Sequence, residues 1–169
     1  MAQQSPRVVA TIIWAALLAG PTVFLGVALF LVFGLRGGAG VGVPLAEPEL
    51  MIGGSLALSV VTVALSSLWA VRMRIAPSAL GGVAQRGAAS GFPPGPEANA
   101  VARLIVACAL CEGGALAAII VFMQTGKALA LSPYALSWLA LAAHFPGDRH
   151  WAQLTGLPAG AARNPMIRG

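Results

Sequence analysis

Four stretches of this chain, residues 8–35, 50–71, 101–124 and 128–145, are apolar for about the length that a helix needs to cross a bilayer, roughly 20 residues. A spanning segment must satisfy its own backbone hydrogen bonds, so each reads as a helix. The expected fold is an all-α membrane protein of four transmembrane helices, arranged as two antiparallel hairpins. The first hairpin covers 8–71, a cytoplasmic linker 72–100, the second hairpin 101–145, and an interfacial or loose tail 146–169, in a single membrane domain 1–169.

Composition supports lipid as the surrounding medium. Of 169 residues, 58% are hydrophobic and 9% charged, where soluble domains carry about a quarter charged residues. No aqueous core uses that much apolar surface. The net charge of +5 suits anionic lipid headgroups. It does not suit nucleic acid, because the arginines are dispersed and no basic stripe is interleaved with aromatics. Two cysteines inside one apolar segment are no disulfide framework. The first apolar run is longer than the usual 7–15 residue core of a signal peptide and ends in no small-x-small site; it is expected to be an uncleaved span.

Basic residues orient the spans. Arg7, Arg72, Arg74, Arg86, Arg103, Arg149, Arg163 and Arg168 fall on one side, and Arg36 and Lys127 on the other. Both termini are therefore expected in the cytoplasm, with Arg72, Arg74, Arg103, Arg149 and Trp151 as interfacial anchors. "TGK" makes a tight turn between the third and fourth spans. The glycines of "RGGAGVGV" follow no strand and open no βαβ unit, so they are not a dinucleotide fingerprint but a flexible outer loop. "PGDRHWAQLTG" suits a short helix lying at the headgroups.

Sliding the first span by 93 positions matches Ile12 with Ile105, Ala16 with Ala109, Leu17 with Leu110 and Gly20 with Gly113. With the repeated inside–outside–inside order, this suggests internal duplication. Ala19 then takes the place of Glu112.

Glu112 is the one carboxylate within a span's interior, near the bilayer midplane and too deep to snorkel. Placing a charge there costs roughly 2.5–3.5 kcal/mol, so the neutral, hydrogen-donating acid is the form hydrocarbon tolerates. No cation lies at its depth in another span. Ser59, Thr62, Ser66, Ser67, Ser137 and Trp138 are its candidate hydrogen-bonding neighbours. It could bind a proton or ion, dock another subunit, or join helices within the chain. Around it, Ala109, Gly113 and Ala117 form a small-residue row, Gly114 adds a second hollow, and Ala16 and Gly20 repeat the pattern on the first span; such rows let helices approach closely. Pro21 should kink the first helix.

Cys108 and Cys111 share a face with Glu112 and read as small buried hydrophobes. His144 and His150 lie at the cytoplasmic end, too far from the thiols to share a metal, and not at one depth as a haem pair would require. No metal, cofactor or catalytic cluster is expected.

The stretch "GPEANAVARLIVACALCEGGALAAIIVF" resembles the second helix of rotary-ATPase proteolipid (c-type) subunits: a loop with Pro and Glu, a basic residue entering the helix, then a mid-helix carboxylate among small residues. For Glu112 that resemblance implies proton carriage. The first span departs from the pattern, with Trp14, Pro21 and Phe24 where proteolipids have repeated glycines. The chain also resembles small bacterial four-helix integral membrane proteins with "EGG" in the third span and "HFP" closing the fourth, which implies a multi-pass protein of the bacterial inner (plasma) membrane and no activity. The expected function is that of a non-enzymatic structural or accessory subunit in a homo-oligomer or larger membrane complex. The alternative is an ion-translocating subunit using Glu112, ahead of a small-solute transporter and a membrane enzyme.

Overall fold

The computed structural model describes residues 5–40, 47–75 and 95–156. All regular structure among them is helical. The helices are α1 (Pro6–Leu29), continued by a π-helical turn (Phe30–Leu35), α2 (Pro48–Ile75), α3 (Pro96–Thr125), a 3-10 turn (Ala128–Ala130) leading into α4 (Leu131–Ala143), and α5 (Asp148–Thr155). The segments Pro6–Leu35, Pro48–Trp69 and Pro96–Thr125 are long and apolar enough to cross a membrane. The fourth apolar segment is shorter: Ala128–Ala143 turns by 77° into α5, so the pair makes a fourth span only if counted together.

Local chemistry sets the ends. Ser5 caps α1, its hydroxyl accepting from the Val8 amide at 3.4 Å, and Pro6 takes the first position, where no amide hydrogen is needed. Pro21 does not interrupt α1. Beyond it the helix widens into the π turn, which closes with the Gly38 amide on the Val32 carbonyl at 2.9 Å. α3 ends at Gly126, whose left-handed backbone (φ 66°) lets its amide bond the Phe122 carbonyl.

The helix α3 is the hub. Half of its span is buried, against less than a quarter for the spans of α1 and α2, and α1, α2 and α4 all pack on it. Two apolar clusters hold this arrangement. One joins Ala10 of α1, Leu104, Cys108 and Cys111 of α3, Leu141 of α4, and Trp151 and Leu154 of α5. The other joins Ala28, Val32, Ile52, Ile119, Phe122 and Ala130. α1 and α2, adjacent in sequence, do not form a packed pair as α3 and α4 do. The two halves of the chain therefore differ in how their helices pack.

Charges gather at the two ends. At one, Arg7 pairs with Asp148 and donates to the Pro146 carbonyl at 3.2 Å, while Arg103 reaches the Leu154 carbonyl. At the other, Lys127 pairs with Glu49. The outer surface between these ends carries large apolar side chains, among them Ile12, Val23, Val27, Leu58, Val61, Leu65, Ile120 and Leu139. Such a surface is of the kind that a bilayer covers.

Two glycines close the end that carries Lys127. A β-carbon on Gly40 would fall on the Gln124 carbonyl oxygen, and one on Gly126 would lie 2.5 Å from the Gly38 oxygen. The first part of the loop expected to be flexible, residues 36–40, is thus docked on the turn after α3. Residues 41–46 of that loop lie outside the described residues, as do linker positions 76–94 with Arg86 and the tail beyond 156 with Arg163 and Arg168. α2 runs on to Ile75 and α3 starts at Pro96, so helix continues into both ends of the stretch read as the linker.

Candidate functional site

Glu112 lies half-buried at the middle of α3. Its carboxyl is turned toward α1, with Oε1 3.3 Å from where a β-carbon on Gly20 would sit. A methyl at position 20 would make the carboxyl shift by a few tenths of an ångström, so glycine there lets the acid lie close against α1. No hydrogen bond or ion pair joins the carboxyl to any described residue.

This contact borders an unpacked face. Ala109 and Gly113 of α3 are exposed, Ala117 is half-buried, and nothing lies within 4 Å of a β-carbon placed on Gly113. Ala16 and Gly20 of α1 are exposed as well. The small-residue rows of both helices therefore remain on the exterior, bordering Glu112.

Gly114 behaves differently. It is buried, and a β-carbon on it would lie 2.7 Å from Ser137 Oγ, 2.8 Å from Thr62 Oγ1 and 3.4 Å from Ser59 Oγ. Here α2 and α4 press hydroxyls against the backbone of α3, and Ser59 donates to the Gly114 carbonyl at 3.5 Å. Residues 112 and 114 are about 200° apart around a helix. One side of the same turn therefore holds the internal contact and the other holds the acid.

That rotation corrects the neighbours expected for Glu112. Ser59, Thr62 and Ser137 gather at Gly114. Ser66 donates to the Val63 carbonyl and accepts from the Cys111 thiol at 3.4 Å. Ser67 is exposed and bonds the Val63 carbonyl. Trp138 donates to Thr22 of α1 at 3.0 Å. Both cysteines are free and wholly buried, so they lie in the core while Glu112 borders its edge.

On α2, Ser55, Ser59, Thr62 and Ser66 recur at intervals of four, three and four, and all but the half-buried Thr62 are buried. This hydroxyl seam is legible in the sequence as a helical spacing, and it serves the contact of α2 with α3 rather than Glu112. Three of the four bond carbonyls of their own helix, which lets α2 approach closely without stranding a donor. Ser137 is the exception: its Oγ is fully buried with no hydrogen bond.

The expected anchors divide. Arg149 is exposed. Arg103 and Trp151 are 8% and 4% exposed, covered by the packing of α5 onto α3. α5 thus lies on the end of the bundle with its apolar side inward. The side chains of Arg72 and Arg74 lie outside the described residues. His144 and His150 come together across the bend, ring centres 6.1 Å apart and nearly perpendicular. Among the described residues no three metal-ligating side chains converge.

In chemical terms, a neutral Glu112 has one hydrogen to donate and two oxygens to accept with, at the edge of a face smooth enough for another helix. Comparison of the chain with protein-family models, curated proteins and solved structures finds no significant match.

Proposed function

We propose that this chain is a non-enzymatic integral membrane subunit of the bacterial inner membrane, with both termini cytoplasmic. It associates laterally with copies of itself or with other membrane subunits. The contact face is Ala16, Gly20, Ala109 and Gly113, bordered by Ala117, and Glu112 supplies a hydrogen bond at its edge. One observation carries this reading: the acid has no partner among the described residues, beside a face on which Gly113 touches nothing. A hydrogen-bonding group left unmatched in hydrocarbon costs several kcal/mol, and a docked neighbour would remove that cost.

The proposed topology is two antiparallel hairpins, the first of them in chain direction only, since α1 and α2 each pack on α3 rather than on each other. For the second, support comes from the apolar clusters, where Phe122 meets Ala130 at one end of α3 and Cys108 meets Leu141 toward the other. Duplication rests on the sequence matches alone. Orientation rests on the arginine count.

The test is gentle solubilisation, followed by sizing and identification of what travels with the chain. Gly113→Leu should abolish the association while the monomer stays folded. Association unchanged by Gly113→Leu would overturn the reading.

A second reading, proton or ion carriage by Glu112, is favoured by the partial exposure of that unpartnered acid. It predicts labelling by a hydrophobic carbodiimide, which reacts with protonated carboxyls, and loss of flux in Glu112→Gln with assembly intact. Under the first reading Glu112→Gln, whose amide also donates and accepts, is nearly silent.

A further inference from the structure

We infer that His144 and His150 bind one late first-row transition-metal ion, copper or zinc, across the bend between α4 and α5. In sequence the two residues belong to different elements, one closing α4 and the other in the first turn of α5. The 77° turn brings their rings to 6.1 Å, interplanar angle 78°. A metal–nitrogen bond of about 2.0–2.1 Å places the ion about 3.2 Å from each ring centre, so two imidazoles on one ion have centres about 5–6.4 Å apart. The observed spacing falls in that range, at a wide nitrogen–metal–nitrogen angle.

The tautomer of His144 suits a ligand. Its Nδ1 lies 2.6 Å from the Ala140 carbonyl oxygen. A carbonyl only accepts, so Nδ1 carries the hydrogen and Nε2 of the neutral ring keeps its lone pair. A ring fixed by such a second hydrogen bond is the usual setting of a metal-binding histidine. The bend itself is held in place. Pro146 accepts from Arg7 at 3.2 Å, Trp14 donates to the Leu141 carbonyl at 3.0 Å, and Trp14 packs edge-on against Phe145 at 4.9 Å.

Imidazole suits copper and zinc, and copper(II) binds most tightly in the divalent series. Among the described residues no third protein ligand joins the pair, so the affinity is modest. An ion held there would lock α5 at its angle to α4.

The probe is Cu²⁺ or Zn²⁺ alone, added to the chelator-stripped full-length chain in detergent, without a polyhistidine tag. Bound metal after desalting should saturate at one ion per chain. Cu²⁺ should quench tryptophan fluorescence, since Trp14 and Trp151 flank the bend. His144→Gln and His150→Gln should each weaken binding at least tenfold, while the double variant Cys108→Ser/Cys111→Ser should not change it. Paramagnetic resonance of the Cu²⁺-loaded wild-type chain should show coupling to two imidazole nitrogens, a signature that does not depend on any variant folding. Unsaturable binding, a spectrum without those nitrogens, or full binding in His150→Gln would overturn the site.

Discussion

The Oε1 atom of Glu112 lies 3.3 Å from the position that a β-carbon of Gly20 would occupy. The carboxyl therefore rests close against α1 at a position where a larger side chain would displace it. Gly20→Leu should push the carboxyl out of that position and wedge α1 from α3, costing about 1–3 kcal/mol as an overpacked contact. Thermal unfolding in mild detergent measures the cost, and the rate of carbodiimide labelling at Glu112 should rise in parallel. A labelling rate equal to that of the wild-type chain would mean that Gly20 does not shelter the acid.

Gly114→Ala meets a different neighbourhood. Its new methyl would lie 2.7 Å from Ser137 Oγ and 2.8 Å from Thr62 Oγ1, closer than packed carbon and oxygen tolerate. The expected loss is about 1–3 kcal/mol. Ser137→Ala removes a buried hydroxyl that has no hydrogen bond, so alone it should be neutral or stabilising. Combined with Gly114→Ala it should recover part of the loss, and a double-mutant cycle of unfolding midpoints reads that coupling. Strict additivity would count against the contact.

At the Lys127 end, Gly126→Ala should destabilise by more than about 1 kcal/mol, because the backbone there is left-handed (φ 66°) and the Gly38 oxygen blocks the methyl. Gly113→Ala, with nothing within 4 Å, should leave the stability of the isolated monomer unchanged. Equal effects of the two substitutions would show that the loop of residues 36–40 is not docked on this turn.

Arg7 and Asp148 tie α1 to α5, but both are substantially exposed, at 30% and 52% of their side-chain surface. Asp148→Asn should therefore cost only about 0.2–1 kcal/mol, and the difference should shrink as salt is added. Arg7→Ala should cost more, because the Pro146 carbonyl loses its donor as well. Limited proteolysis after α4 would report release of α5. Identical behaviour of the two variants would mean that the Pro146 bond contributes nothing.

The sequence by itself determined the elements and pointed to the medium. Runs such as 8–35 and 101–124 are long and apolar enough to cross a membrane, and in that medium a helix is the form that satisfies its own backbone. The lone acid at position 112 and the small residues around it were equally legible, because composition at a given depth needs no knowledge of neighbours. Azimuth was not legible. Tertiary packing decided that α3 is the hub, that α1 and α2 do not pair, and that Gly114 faces inward while Gly113, one residue earlier, faces out. It also brought His144 to His150 through a turn of 77°. Every face of these helices is greasy, so hydrophobic periodicity, which in water marks the buried side, carries little information here. What chooses the inner face is close fit between backbones and hydroxyls from different helices, and that becomes fixed only when the helices meet.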